Sequence, residues 1–385
     1  MLNQLISRFV QSQSNSHPKN NYLSRFHKRI GHIGIDVLLN AILVLGVLHE
    51  KEVDVSDKET RNRTLVIIEE AKKMGITIKA LKFFCRGTNL FTIRLNNVKK
   101  VFEGLPHLEI TRDLPVDFDD KGKLKELLQI AEIPSPNGKA FTNPETAICY
   151  VRDVISFPVV VKPSSGSLSN HVVCQIITEN ELREAISIVQ QISHSFVVEK
   201  FIEGNVYRIT TVDGKMVASC QREPPNIIGD GIHTVADLIE IKNRDPRRGA
   251  TTQKNTTLHQ ITKSSRSRLV LAKQNFTFIS IPQKGEKVYV HDKVILACGA
   301  DIHDTTDLTH PDNQILFEKV AVLCQSPVIG IDFIAPDITR PYWKQSCGVI
   351  EVNSMPYIDM HHYPTTGTSR NVAKYILDYY ISMVS

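Results

Sequence analysis

Apolar and polar positions divide the chain into stretches with different periods. The first 32 residues, with QSQSNSHPKNN at their centre, hold too few apolar positions for a core and read as a flexible tail. IGIDVLLNAILVLGVL (33–48) is the most apolar run, too short for a comfortable membrane span and carrying Asp36, so it reads as a buried helix. TRNRTLVIIEEAKKMG has the helical period. ITIKALKFF and, past a Gly-Thr-Asn turn at 87–89, LFTIRL read as strands. This order predicts a small N-terminal α/β domain over 33–117. DDKGKLKELLQIAEIP then predicts an amphipathic helix capped by Asp120, with Pro134 beyond its end.

Short strands and turns follow. FPVVVKPSSGSLSNHVVCQI reads as strand–loop–strand, ENELREAISIVQQI as a helix and SFVVEKFIEG as a strand ending in a turn. VYRITTVDGKMVASCQRE reads as a hairpin turning at Asp213-Gly214. A helix near 311–325, two more strands and a closing helix, TSRNVAKYILDYYISMV, complete the chain. No internal repeat is visible.

Those last two strands carry polar residues where a buried strand should not. In GVIEVNSMP, Glu351 and Asn353 are two apart and share a face; in VIGIDFIAPD, Asp332 sits amid apolar neighbours. A buried carboxylate is costly unless it is paired or holds a cation. Three oxygen donors on adjacent strands would suit magnesium, while backbone amides could equally satisfy edge-facing polar groups. The pattern alone leaves both open.

Composition narrows the class. At 385 residues, 42% hydrophobic, the chain can bury the core of two or three subdomains. The charge of +5 is mild, and its basic clusters, NRDPRRG and TKSSRSR, lack the interleaved aromatics that stack bases, so no nucleic-acid partner is expected. Seven cysteines without CxxC spacing argue against a disulfide frame and a zinc site. With no secretory signal and no transmembrane segment, a cytoplasmic protein is expected, and a homo-oligomer, dimer or tetramer.

VVVKP, VVEKFIEG, YRITTVDGKMVAS, GIDFIAPD and GVIEVN, in this order, resemble an ATP-grasp ligase. IIGDGIHTVADLIEIKNRDPRRG, THPDN, IAPDITRP and DMHHYPTTGTSRNVA are similar to the ATP-grasp portion of cyanophycin synthetases, and the resemblance runs from about 118 to the C-terminus. It implies an ATP-grasp fold of two α+β subdomains, 118–202 and 203–385, clasping ATP. It also implies an ATP- and magnesium-dependent carboxylate–amine ligase acting through an acyl phosphate on an amino acid or small peptide.

Site roles follow from the same resemblance. Lys162 would contact the α- and β-phosphates, under a loop containing Ser165, Gly166 and Ser167; Lys121 would be a second phosphate lysine or an adenine-side one, with Lys123 or Lys125, crowding the same helix, solvated. Glu199 would take the adenine amine, while Lys200, Phe201 and Ile202 present backbone to the ring. Arg208 and Arg222 would face phosphate or the substrate carboxylate, as arginine's fork favours. Asp332, Glu351 and Asn353 would bind two Mg2+ ions, or Mn2+. His361 and Arg370 would face substrate.

Three departures stand out. The phosphate loop has one glycine. The acidic residue expected for ribose falls on Val206, with Glu203 or Asn205 near. Where an Arg/Asn/Ser stretch is expected, HDKVILACGA places Asp292, Ile295 and Ala297, leaving Lys293 or His291 to supply positive charge. GxxxxGK[ST] does not occur in these 385 residues, so no counterpart of the P-loop ligase half of cyanophycin synthetase is expected. A different peptide-like product is therefore expected; a nucleotide-binding protein that does not ligate, or a small-molecule kinase, are the other readings.

Overall fold

The computed structural model describes residues 48–83, 86–96, 98–106, 120–164 and 171–384. The tail, the apolar run up to residue 47 and the loop residues Ser165, Gly166 and Ser167 lie outside them. Leu48, the last residue of the run expected as a helix, opens a strand instead.

The N-terminal part is one helix on an antiparallel sheet: β1 (Leu48–Lys51), α1 (Asn62–Lys73), β2 (Thr77–Phe83), β3 (Arg86–Leu95) and β4 (Val98–Glu103), paired in sequence order. Gly87, Thr88 and Asn89, expected as a turn, lie inside β3. Gly87 is there for close approach rather than turning, because a Cβ would come within 2.2 Å of the Glu59 carbonyl oxygen.

Next come α2 (Lys121–Ile130), β5 (Gly138–Phe141), α3 (Pro144–Tyr150), β6 (Val159–Pro163), β7 (Val173–Ile176), α4 (Glu179–Gln190) and β8 (Phe196–Lys200). The strands form an antiparallel sheet ordered β5-β8-β6-β7, with α3 and α4 packed on it. Asp120 caps α2 as its sequence predicts, its carboxylate accepting from the Gly122 and Lys123 amides.

The rest comprises β9 (Asn205–Val212), β10 (Lys215–Glu223), β11 (Asn226–Ile228), α5 (Val235–Asn243), β12 (Arg248–Gly249), β13 (Leu258–His259), α6 (Ser265–Lys273), β14 (Lys287–Tyr289), β15 (Asp301–Asp304), α7 (Pro311–Cys324), β16 (Val328–Ala335), β17 (Gly348–Asn353), α8 (Asp359–His362) and α9 (Val372–Val384). A five-stranded antiparallel sheet, ordered β15-β10-β9-β16-β17, is its centre. The β9–β10 hairpin turns at Asp213 and Gly214, both at positive φ, as predicted. The segment from β11 to β14 closes its own small core around Val235, Ile239, Leu271 and Val288.

Strand alternation gives the central sheet two unlike faces. Tyr207, Ile209, Ile329, Ile331 and Phe333 form a core with Leu316, Phe317 and Val320 of α7, and with Leu124 and Leu128 of α2. The intervening residues, Arg208, Thr210 and Asp332, turn to the opposite face. At the far end a second core joins α1, the N-terminal sheet and α9 to Val212, Ala218 and Val328. The N-terminal part and the C-terminal helix thus share one apolar interior. The closing helix starts at Val372, four residues later than its sequence pattern begins, since the Arg370 backbone amide instead bonds the His361 carbonyl.

Candidate active site

The polar face of the central sheet is built by register. Asp332 of β16 lies between Arg208 of β9 and Glu351 of β17, each its direct cross-strand partner. Asn353, two residues past Glu351, sits on the same face. Arg208 Nε donates to Asp332 Oδ1, and Arg222 Nη2 reaches Oδ2 at 2.9 Å. Burial pushes the Asp332 carboxyl up, but the two guanidiniums outweigh it and hold the group down at about 2. It is therefore ionised at neutral pH.

The second sheet brings lysines to the same place. Lys162, at the end of β6, donates to Glu199 Oε1 at 2.6 Å and to the Ile350 carbonyl at 3.2 Å. Lys125, one turn beyond Lys121 on α2, meets Glu199 Oε2 at 2.8 Å and donates to the Pro136 carbonyl. Lys121 Nζ is 3.8 Å from Glu351 Oε1. Burial raises the Glu199 carboxyl, yet the charges of Lys162 and Lys125 win and hold it below the usual carboxylate range. Lys162 of this sheet and Lys121 of α2 therefore converge on Ile350 and Glu351 of the other sheet, with Glu199 tying Lys125 to Lys162 behind them. Gly348 makes the approach possible, since a Cβ there would stand 2.9 Å from the Ser135 Cα.

The cluster sets five cations (Lys121, Lys125, Lys162, Arg208, Arg222) against three carboxylates (Glu199, Asp332, Glu351). A positive surplus among groups that are largely buried suits a polyphosphate. The donors also fit a hard divalent cation: two carboxylates directly opposed, one held ionised, with an amide beside them. The buried Asn353 Nδ2 has no hydrogen-bond partner, so the amide is not already committed there; its O and N positions are interchangeable.

Comparison with known proteins places part of this chain in a known domain family. Residues 118–227 match the model of the RimK-like ATP-grasp domain. The chain contains an ATP-grasp domain. A cyanophycin synthetase of Crocosphaera subtropica is 32% identical over 343 residues, which cover 86% of this chain and 38% of that protein. A glutathione biosynthesis bifunctional protein of Streptococcus agalactiae is 30% identical over 268 residues, covering 69% of this chain and 36% of that one. The chain thus spans under two fifths of the length of either relative. The solved bifunctional glutathione synthetase of Pasteurella multocida superposes with a TM-score of 0.65 at 24% identity, over 85% of this chain and 45% of that one, and shares the fold.

Other expected site residues of this ATP-grasp chain fall into two groups. Lys293 stays close: it reaches across to the other sheet's flank and donates to the Val172 carbonyl at 2.9 Å. The neighbouring Asp292 is neutralised by Arg266. His361 is buried against the polar face, its Nε2 2.8 Å from Thr210 Oγ1, while Nδ1 has no partner. Burial, with Arg208 nearby, pushes its imidazole down to about 3, so it is neutral.

The remaining residues are engaged elsewhere. Arg370 is held by Asp304 at 2.7 Å and Asp307 at 2.6 Å. Glu199, expected at the adenine amine, has a lysine on each oxygen. At the hinge, the Lys200 and Phe201 amides already bond the Asn137 and Pro158 carbonyls, and the Lys200 ammonium bonds the Phe157 carbonyl. Ile202 follows at the junction of the two sheets.

Lys125 is the residue that sequence reasoning passed over, as one of three lysines crowding a helix. Its i+4 spacing from Lys121, beside Leu124 and Leu128 on the packed face, was the available signal. Lys123 is the solvated one, exposed at the helix surface.

No helix among the described residues is long and apolar enough to cross a membrane.

Proposed function

We propose that the chain is an ATP- and Mg2+-dependent carboxylate–amine ligase, joining an amino acid or small peptide to an amine. The observation that carries this is the convergence of Lys121, Lys125 and Lys162 with Arg208, Arg222 and the Asp332–Glu351–Asn353 face at one point. The division lies near residues 202–203, and since the Lys200 and Phe201 amides are committed to Asn137 and Pro158, it is the remaining backbone groups of Lys200–Ile202 that would meet adenine there.

A substrate carboxylate oxygen attacks the γ-phosphorus of ATP, the β–γ bridging P–O bond breaks, and ADP leaves. The amine nitrogen then attacks the acyl carbon of the acyl phosphate, phosphate departs with the C–O electron pair, and the nitrogen loses a proton. Lys162 and Lys121 hold the polyphosphate, and Glu199 fixes Lys162 and Lys125 in the orientation that aims them at it. Arg208 and Arg222 offset the charge that builds as one anion approaches another. Lys293 ties the segment after β14 to the strand beyond the phosphate loop. Asp332, Glu351 and Asn353 would hold two Mg2+ ions, or Mn2+, which shield phosphate charge when bound. Neutral His361 lines the acceptor side.

The test is product analysis after incubation with ATP, Mg2+ and candidate substrates. An amide formed in step with ADP supports the reading. ADP with a phosphorylated product and no amide would assign a kinase instead.

A further inference from the structure

We propose that Arg63, in the first turn of α1, is a positioning residue for the metal-ligand strand, so that the N-terminal part completes the site. The inference rests on the assignment of Asp332, Glu351 and Asn353 above; Arg63 and that triad all lie outside residues 118–227, which match the ATP-grasp model.

Arg63 is 3% exposed, an unusual burial for an arginine on a helix that could have turned it to solvent. Its guanidinium lies across the Tyr357 ring, 4.7 Å from the centroid, and Nη1 donates to the Met355 carbonyl at 2.9 Å. Gly104, at positive φ, makes room: a Cβ there would be 2.4 Å from Arg63 Nη2. Beside it, Arg61 Nη1 donates to the Tyr357 hydroxyl at 2.9 Å. The grip therefore falls on residues 355–357, beginning two residues past Asn353.

That segment turns back onto the site. Pro356 packs over Gly330, where a Cβ would come within 2.7 Å of the Pro356 Cβ and 3.2 Å of Arg208 Nη1. Gly330 is the cross-strand partner of Asn353. A contact chain thus runs from Arg63 through Met355 and Pro356 to Gly330, Asn353 and Arg208. A planar fork that hydrogen-bonds and stacks at once fixes the direction in which β17 leaves the sheet. Loss of such a supporting partner typically weakens a metal site about 10–100-fold.

Asn62 is the control. It bonds Thr257, which bonds Asp359, and so joins the same two parts of the molecule by a route other than the Met355 carbonyl and the Tyr357 ring. The experiment measures Mn2+ affinity of the ADP complex by water-proton relaxation in the full chain, alongside Tm, for wild type, Arg63→Ala, Arg63→Lys and Asn62→Ala. The expected result is about 10–100-fold weaker Mn2+ binding in Arg63→Ala, partial recovery in Arg63→Lys, and wild-type affinity in Asn62→Ala despite a lowered Tm. Should Arg63→Ala fail to fold, Arg63→Lys against Asn62→Ala carries the same comparison. Unchanged affinity in the Arg63 variants, or an equal loss in Asn62→Ala, overturns the inference alone. A wild-type chain that binds no Mn2+ with ADP overturns the site assignment as well.

Discussion

Glu351 and Lys162 carry different burdens, and their substitutions separate them. Glu351 is the more open of the two, with a quarter of its side chain exposed, so Glu351→Gln keeps the fold and is expected to lower ATP-dependent turnover by about 100-fold or more, a charge-stabilisation effect. Lys162 is buried on Glu199, and Lys162→Ala leaves that carboxylate with Lys125 alone. Breaking a buried pair costs about 3–5 kcal/mol, so this variant loses Tm as well as activity; turnover and melting on the same samples distinguish the two. The acid-oxygen pattern of GVIEVN was legible because strand alternation is rigid. The partners of Glu199 were not, because an ion pair between residues 125 and 199 leaves no mark in either local pattern.

His361 and His362 make a residue-scale prediction about pH. Burial pushes their imidazoles down from the ordinary 6.5, to about 3 and about 4. The unfolded chain takes up both protons as pH falls through 6.5, and the folded chain refuses them until much lower. Folding stability is thus fully present above about pH 6.5 and declines as pH drops towards 4 and then 3. His361→Asn or His362→Asn is expected to flatten Tm against pH between 6.5 and 4, wherever its absolute Tm lies. An unaltered slope in both variants would contradict the burial assigned to the pair.

At the scale of elements, α2 links helix capping to the site. Asp120 caps the helix that carries Lys121 and Lys125. Asp120→Ala should cost about 1 kcal/mol and weaken ATP binding, measured by calorimetry, while Asp120→Ser restores much of both. Element type was legible for α2, α4, α7 and the β9–β10 hairpin, where period, cap and turn residues agree. It was misleading at Gly87-Thr88-Asn89, whose turn-like composition serves close packing on Glu59. It was silent on the segment from β11 to β14, where α5 and α6 are only nine residues each and the strands around them two or three, too short for a clear period.

For the whole molecule, two sheets meet where Lys162 bonds the Ile350 carbonyl and α1 grips the strand exit, so ligand binding should be felt globally. ATP with Mg2+ at about 100 times Kd is expected to stabilise the native state by about 2.7 kcal/mol, seen as a rise in Tm. Glu351→Gln should show a smaller rise. That the N-terminal part and α9 share a core was hidden in the sequence, because residues 65–105 and 372–380 are distant along the chain and their apolar faces do not name their partners.

ADP release by the purified chain, with ATP, Mg2+ and pools of amino acids and dipeptides, tests the central claim most directly. The account predicts background release without substrate and stimulation by at least one pool, lost in Glu351→Gln. Binding of ATP with no stimulation by any pool, and identical traces for the variant, would contradict it.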